Sequence, residues 1–533
     1  MRPTTSRSDQ SVSLAATSGP STPTAEHNDP HHPDAATSSD LEASPTAPAT
    51  PAIEKQQQHL HGDDKLVTWA HGPPEADPDN PLGWSKMRKW GTVVVVSAAS
   101  FCVTSTSSII SLAYDGIMQD FKISKIVSIL GLSLFVAGLG LGPMFLAPLS
   151  EFYGRRPIYL CSFSAFFLLG FPVSFANNPA VFFIFRFLTG FGGSALLSVA
   201  GGSVSDCFDQ RDLYIPMAVF TLSPFLGPAS GSLLSGFINQ NVQWRWSFWV
   251  INIWSACTLV AIYFFAPETY APIILAKRAR RLRKQTGDDK LYAQHERNIG
   301  QKSVVRTIAT SCTRPFELLI NEYMLALLCI WSALLLGLLY LLFIAFPIVF
   351  RQHGFNVQEV GLSFVGIGLG QLVALASMPY WARKYAAARE AGGGVAPPEA
   401  RLPVAMAGAL IMPVGLFAFA FTSYASVPWI VPILASILIG LAIGLTYISI
   451  FSFTVDAYRP VAASAMAANS IVRSSWAAAF PLFAGQMYSG LGVVGASALL
   501  AGLNVLMVPL PFLFYRYGAR IRAKSKFTNS AQT

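Results

Sequence analysis

Long apolar runs alternate with short polar segments from residue 90 to residue 515. A membrane-spanning helix needs about twenty mostly apolar residues, and twelve runs are about that long. They form two sets of six, separated by a longer polar segment. The approximate bounds are Trp90–Ser111, Ile126–Leu149, Pro157–Phe175, Ala180–Gly201, Ile215–Ile238, Trp246–Pro267, Tyr323–Phe350, Val360–Trp381, Leu402–Phe421, Pro428–Phe453, Ala463–Tyr488 and Leu491–Tyr515. This pattern predicts an all-α membrane protein with twelve transmembrane helices in two six-helix bundles.

The polar segments complete the predicted domain organisation. Residues 1–64 are rich in Ser, Thr, Pro, Ala and His, have no signal-peptide core and are predicted to be a disordered cytoplasmic tail. Residues 65–89 end in tryptophans and basic residues typical of a juxtamembrane anchor. The N-terminal bundle covers residues 90–267 and the C-terminal bundle residues 323–515.

Basic segments lie between the bundles and after the second one. Residues 268–322 are predicted to form a cytoplasmic basic loop, and residues 516–533 a cytoplasmic basic tail. The run K-R-A-R-R-L-R-K in the loop is typical of an amphipathic helix at a membrane surface.

The distribution of charge predicts the orientation. Residues 1–85 contain twelve acidic and four basic residues (net −8), whereas the remainder contains sixteen acidic and thirty-three basic residues (net +17). Most basic residues of the second part lie in the even-numbered gaps between runs, so both termini are expected to be cytoplasmic. They form no patch interleaved with aromatic residues, so we expect contacts with anionic lipid rather than nucleic acid.

The sequence contains no pattern typical of an enzyme or a metal site. Its six cysteines lack metal-ligand spacing, and six of its eight histidines precede residue 72. The run G-L-G-L-G, from Gly138 to Gly142, lies inside an apolar run and precedes no phosphate-binding turn. We therefore predict no enzymatic activity, no cofactor and no metal.

Three charged residues within or near the apolar runs are candidates for a functional role. Charges inside a span are costly and usually face a cavity or a partner. Arg186, in the fourth run, is the strongest functional candidate, although its side chain has the alternative of extending to the outer surface. Arg473, in the eleventh run, lies either at the cytoplasmic interface or in the cavity. Asp115 is either a proton acceptor in an outer vestibule or an acid of the outer loop.

The absence of acidic residues from the middle of the runs indicates the kind of substrate. A carrier of polyamines is expected to hold a buried Asp or Glu, and every acid after Ser85 lies near the end of a run or in a loop. The sequence therefore favours a neutral or anionic amphiphile. Aromatic residues within the runs are candidates for contacting it: Phe101, Tyr340, Phe343 and Tyr447.

Two short segments predict specific local geometry where helices meet: a tight basic turn, and a helix face of small residues. In the turn that ends G-R-R-P, Arg155 and Arg156 must lie at a membrane surface, and Pro148 should bend the preceding helix. This turn is either a simple positively charged loop or a functional joint. Further on, Gly227 and Gly231 leave one helix face without side chains and Pro228 adds a kink, for packing or for a hinge.

Together these motifs resemble the major facilitator superfamily, in particular its fungal twelve-helix drug:proton antiporter branch. The similar segments are L-S-E-F-Y-G-R-R-P, R-F-L-T-G-F-G-G, L-G-P-A-S-G, W-R-W-S-F-W and P-E-T-Y. The resemblance covers roughly residues 69–527. The chain departs from the family's helix-five motif at Ser232 and Ser235, where proline and glycine are common.

The resemblance implies roles for several residues. It implies a conformational latch formed by Gly142, Pro148, Glu151, Gly154, Arg155 and Arg156. It also implies proton coupling through Arg186, with Asp115 and Arg473 as cavity candidates, and an antiporter-type helix-five motif at Gly227, Pro228 and Gly231. The driving force would be a proton gradient.

We therefore expect a secondary active transporter that exports a drug, toxin or secreted metabolite by alternating access. We expect a monomer in the plasma membrane, or alternatively in the vacuolar membrane. The other interpretations are a polyamine or other solute carrier of the same fold, and a transport-inactive membrane sensor or scaffold.

Overall fold

The computed structural model describes residues 66–69, 77–209, 212–296, 304–393, 396–525 and 527. The prediction of a disordered tail at residues 1–64 lies outside these residues. Within them, nearly all regular structure is helical, and the exception is one isolated bridge between Leu66 and Tyr292.

Eleven helical segments of the described residues are long and apolar enough to cross a membrane. Those of the first half are α1 (Lys86–Ser108), α2 (Lys125–Tyr153), α3 (Arg155–Ser174), α4 (Pro179–Cys207), α5 (Tyr214–Asn241) and α6 (Arg245–Phe265). Those of the second half are α7 (Tyr323–Gln352), α8 (Val357–Ala391), α9 (Pro398–Thr422), α10 (Ile430–Ala457) and the segment Ala462–Lys524.

The last segment consists of two membrane crossings. It has 63 residues, which would extend about 95 Å as one helix, whereas a bilayer core is about 30 Å thick. Gly492 interrupts it with φ 69° and ψ 168°, a backbone conformation that glycine adopts readily. We number its two parts α11 (residues 462–491) and α12 (residues 493–524), which makes twelve membrane-crossing helices in the described part of the chain.

Among the described residues, three further α-helices of eight or more residues lie outside these crossings. One follows α1 (Tyr114–Phe121), and two lie between the halves (Ala271–Thr286 and Val304–Asn321). The sequence predicted a surface helix only for the first of those two. In addition, α12 continues beyond Tyr515 to Lys524, into the segment predicted to be a tail.

Polar caps fix several helix starts. Ser124 Oγ accepts a hydrogen bond from the Val127 amide at the start of α2. At the start of α8, Asn356 and Glu359 form a capping box, in which each side chain accepts a hydrogen bond from the other residue's amide. Such contacts satisfy amides that the first helical turn leaves without partners.

The two halves meet where small residues let their helices approach closely. A Cβ added to Gly140 of α2 would lie 2.5 Å from the Cβ of Ser474 in α11. A Cβ on Gly236 of α5 would lie 2.8 Å from the Cα of Gly361 in α8. Close approach of this kind is typical of small residues in membrane helices. We call the end of the bundle that carries Arg155 the arginine end, and the other end the opposite end.

Candidate functional site

Gly154 forms the sharp turn between α2 and α3. Its φ of 98° is strained for any other residue, and a Cβ there would lie 2.3 Å from Glu268 Oε2. Glu268, just after α6, accepts hydrogen bonds from the amides of Arg155 (2.9 Å) and Arg156 (3.2 Å). The carboxylate therefore caps the amino end of α3, where the helix dipole favours a negative charge.

The Arg155 side chain connects three helix ends. Its Nε donates to Asp206 Oδ2 in α4 at 3.4 Å, and its Nη1 donates to Ser150 Oγ in α2 at 2.8 Å. The guanidinium also lies 4.7 Å from the ring centre of Tyr270, which follows α6. We call Gly154, Arg155, Asp206, Glu268 and Tyr270 the arginine-end network. It ties α2, α3, α4 and the end of α6 into one unit within the first half.

Neighbouring groups reinforce this network. Thr269 Oγ1 donates to Asp206 Oδ2 at 3.3 Å, and Arg156 Nη2 donates to the Tyr263 carbonyl at 2.9 Å. Burial raises the pKa of the Tyr270 phenol, and the nearby carboxylates raise it further, so the ring stays neutral beside Arg155. Arg155 therefore supplies positive charge to a cluster whose other charged members are acidic.

The other predicted latch residues lie beside the network rather than in it. Glu151 is exposed and forms no ion pair with the described residues. With Pro148 it lines a cavity of about 650 Å³, bordered by α2, the start of α11 and the helix Val304–Asn321. Gly142 contacts α4 instead, where a Cβ would lie 1.8 Å from Ser194 Oγ.

Arg186 is enclosed within the first half and is only 1% exposed. Its Nε donates to the Gly131 carbonyl at 2.9 Å and its Nη1 to the Thr106 carbonyl at 3.1 Å. The guanidinium lies 4.5 Å from the centre of the Phe135 ring, and Nη2 has no partner. Arg186 thus connects α1, α2 and α4, and its side chain does not extend to the membrane surface.

The glycines of α5 form its contact with α1. A Cβ on Gly227 would lie 2.0 Å from Thr104 Oγ1, and one on Gly231 would lie 2.2 Å from the Ser105 carbonyl. The helix α5 continues through Pro228 as one uninterrupted helix. The two residues at which the sequence departs from the family's motif bind the segment just after α1. Ser232 Oγ accepts a hydrogen bond from Ser111 Oγ, and Ser235 Oγ accepts one from the Leu112 amide.

The central aromatic residues are packed between the halves. Tyr340 of α7 shares a 2.7 Å hydrogen bond with Ser107 of α1. The ring of Tyr447 in α10 stacks on that of Phe225 in α5, with centroids 4.0 Å apart. Both tyrosines are almost fully buried, so in this conformation they join the halves rather than line an open cavity.

The other two predicted substrate contacts lie elsewhere. Phe101 packs against Trp254 of α6, inside the first half, with ring centroids 5.3 Å apart. Phe343 lines a cavity of about 140 Å³ at the opposite end. Asp115 and Arg351 line the same cavity and form an exposed ion pair of 3.2 Å between the two halves. Such an exposed pair contributes little stability, so it can open without a large energetic cost.

Three residues of these sites were not singled out from the sequence. Glu268 was noted within the motif P-E-T-Y and as one of the acids near the end of a run, and nothing local indicates that it caps α3. Asn469 is 1% exposed and lies four residues before Arg473, yet its Oδ1 has no partner. Gln371 is fully buried in α8, and both polar atoms of its amide lack partners. A search for polar residues inside apolar runs would have found the last two.

Twelve membrane-crossing helices in the described residues, arranged in two halves and with Arg186 buried inside the first, are the features of a multi-pass membrane transport protein. Comparison with known proteins gives the family. Residues 96–481 match the Major Facilitator Superfamily, and the chain belongs to this superfamily. This confirms the fold class predicted from the apolar runs and makes the protein a transporter rather than an enzyme.

Known fungal proteins are similar to this chain along most of their length. The chain is 46% identical over 399 residues to "Efflux pump atB" of Aspergillus terreus. The aligned region covers 74% of this chain and 83% of that protein. It is 41% identical over 454 residues to "Probable drug/proton antiporter YHK8" of Saccharomyces cerevisiae, covering 85% and 88% of the two chains. The resemblance to the fungal antiporter branch is thereby confirmed.

A solved structure supports the fold alone. The proton:xylose symporter XylE of E. coli, bound to 6-bromo-6-deoxy-D-glucose, superposes with a TM-score of 0.59 and 14% sequence identity. The match covers 81% of this chain and 96% of that one.

Proposed function

We propose that this protein exports small amphipathic molecules in exchange for protons, by alternating access between its two halves. The observation that carries the proposal is the similarity, at 46% and 41% identity, to proteins named as an efflux pump and a drug/proton antiporter. The proton gradient would supply the free energy, without a cofactor.

The geometry supports alternating access through two rigid halves. The arginine-end network would keep α2, α3, α4 and α6 together when the first half rotates against the second. The close contacts at Gly140 and Gly236 would serve as the surfaces on which the halves rock. The exposed pair of Asp115 and Arg351 would then close the opposite end in one state and separate in the other.

Arg186 is the proposed coupling residue. Its guanidinium is held by carbonyl oxygens of two other helices, at Thr106 and Gly131. A shift of α1 or α2 would break these hydrogen bonds and leave the charge of Arg186 without compensation. Protonation or deprotonation of a group near Arg186 would therefore be linked to helix movement. Asp115 is the proposed carboxylate on the outer proton path, because it lies in a cavity next to the end of α1.

We further propose that the arginine end and both termini face the cytoplasm. The helix Ala271–Thr286 carries the run of basic residues from Lys277 to Lys284, which suits contact with anionic lipid. The protein would act as a monomer in the plasma membrane, with the vacuolar membrane as the alternative.

Efflux from intact cells tests the proposal. Cells that produce the protein and cells with an empty vector are loaded with the neutral dye Nile red, and loss of fluorescence is followed. We expect faster loss from producing cells, and we expect a protonophore to abolish the difference while cellular ATP is kept constant. An unchanged difference after collapse of the proton gradient would contradict proton coupling.

A further inference from the structure

Two polar side chains on one face of α11 lack the partners that their burial requires. Asn469 and Arg473 are four residues apart, so they lie on the same side of the helix. Asn469 Nδ2 donates to Ser332 Oγ at 2.7 Å, but its Oδ1 has no hydrogen-bond partner among the residues that the structure describes. The Nε of Arg473 is also buried without a partner.

Arg473 lies deep in the membrane. It follows Ala462, the first residue of α11, by eleven residues, which places it about 17 Å along the helix. That is roughly half of the ~30 Å bilayer core. A guanidinium carries five N–H donors, and a charge at this depth needs compensation.

The surroundings of Arg473 are aromatic rather than acidic. Its guanidinium lies 5.8 Å from the ring centre of Phe225, 5.9 Å from Tyr447 and 5.4 Å from Phe451. These distances are near the outer limit of cation–π attraction and leave the N–H donors unused. Among the described residues, no carboxylate forms an ion pair with it.

Arg186, the second intramembrane arginine, shows how a buried positive charge is compensated by hydrogen bonds. Arg186 donates to two backbone carbonyls, of Gly131 and Thr106, and so helps to hold the first half together. Arg473 has no such contacts with the described residues, and it is partly accessible at the interface between the halves. An arginine in this position is available for an anion that enters from outside the protein.

We propose that Arg473 binds the anionic head group of the exported molecule, an aromatic or otherwise apolar organic acid, and that Asn469 binds a hydroxyl group beside it. This inference rests on the proposed export function and specifies its substrate class. Arginine recognises carboxylate and sulfonate groups through paired, charge-assisted hydrogen bonds. Asn469 Oδ1 accepts a hydrogen bond from a hydroxyl group next to that head group.

The aromatic rings would hold the apolar body of the same molecule. Phe225 belongs to the first half, and Tyr447 and Phe451 belong to the second. Entry of a substrate would therefore separate the stacked rings of Phe225 and Tyr447, and both halves would contact it. A cationic amphiphile would meet the positive charge of Arg473 and be rejected.

Three probes with the same ring and different head groups test this assignment. Naphthalene-2-sulfonate is permanently anionic, naphthalene-2-sulfonamide is neutral, and (2-naphthylmethyl)trimethylammonium is permanently cationic. Binding of each tritiated probe to the purified full-length protein is measured at equilibrium. We expect the sulfonate to bind about tenfold or more tighter than the sulfonamide, and the cation to bind more weakly than both.

Substitutions of Arg473 test whether this residue of α11 causes the preference for the anionic probe. Arg473→Gln should weaken sulfonate binding by about tenfold to a hundredfold and change sulfonamide binding by less than about threefold, since the rings remain. Arg473→Lys should restore part of the loss because it restores the charge but not the paired donors. Arg520→Gln removes the same charge from an exposed position of α12 and serves as the matched control.

The outcomes separate this inference from the proposed function. If the wild-type protein binds all three probes equally, or if Arg473→Gln weakens sulfonate and sulfonamide binding to the same degree, the anion site is overturned. The comparison of the three probes on the wild-type protein does not depend on how the variant folds. If sulfonamide still moves in response to a pH gradient, the proposed function survives the loss of the inference.

Discussion

Replacement of Arg155 by alanine is expected to lower pH-gradient-driven transport by at least about tenfold, with the protein still folded in the membrane. The change removes the ion pair with Asp206, the hydrogen bond to Ser150 and the contact with Tyr270. Charged hydrogen bonds are worth about 1.5–3 kcal/mol each, and 1.4 kcal/mol corresponds to a tenfold change in an equilibrium between two access states. Flux in proteoliposomes checks the rate.

Two comparisons make this result specific. Arg520→Ala removes a positive charge from an exposed site at the same end of the molecule, and its flux should stay close to that of the wild type. The thermal unfolding of Arg155→Ala in detergent should remain cooperative. Near-normal flux in Arg155→Ala would show that the turn is only a topology-setting loop.

The second large effect is expected from Gly231→Val. A Cβ at this position would lie 2.2 Å from the Ser105 carbonyl and from Ser108 Oγ, so α1 and α5 would have to move apart. Overpacking a tight contact costs about 1–3 kcal/mol, and here the obstacle includes backbone, which cannot rotate away. We expect a clearly lower unfolding temperature together with loss of transport.

Gly502→Val in α12 is the matched control for this change. It introduces the same side chain into a helix, but no heavy atom lies within 4 Å of the added Cβ. The loss of stability in Gly231→Val beyond that of Gly502→Val measures the contact between α1 and α5 rather than helix propensity. Equal unfolding temperatures for the two variants would contradict the packing role of the helix-five motif.

The apolar runs were sufficient to predict the helices because each crossing needs a long stretch without charge. The same signal separated the last two helices between Tyr488 and Leu491, close to the actual break at Gly492. It did not predict the helix Val304–Asn321, whose apolar residues are spread over one face rather than gathered in a run.

The partners within the sites were harder to predict, because they lie far apart in sequence. Glu268 caps a helix that begins 113 residues earlier, and no local pattern links the two. Tyr340 and Tyr447 were expected to face the substrate, but an aromatic residue in a span has the same sequence signature when it packs between halves. Only the structure shows that Arg186 has hydrogen-bond partners, whereas the described residues offer none to Arg473.

The most direct test of proton-coupled exchange is simultaneous measurement of both movements in proteoliposomes. Purified full-length protein is reconstituted with a pH indicator inside the vesicles, a pH gradient with an acidic interior is imposed, and uptake of the sulfonate and sulfonamide probes is recorded together with internal pH. Our account predicts that the gradient accelerates probe uptake and that protons leave the vesicles in step with it. Equal uptake with and without the gradient, or uptake without proton movement, would contradict it.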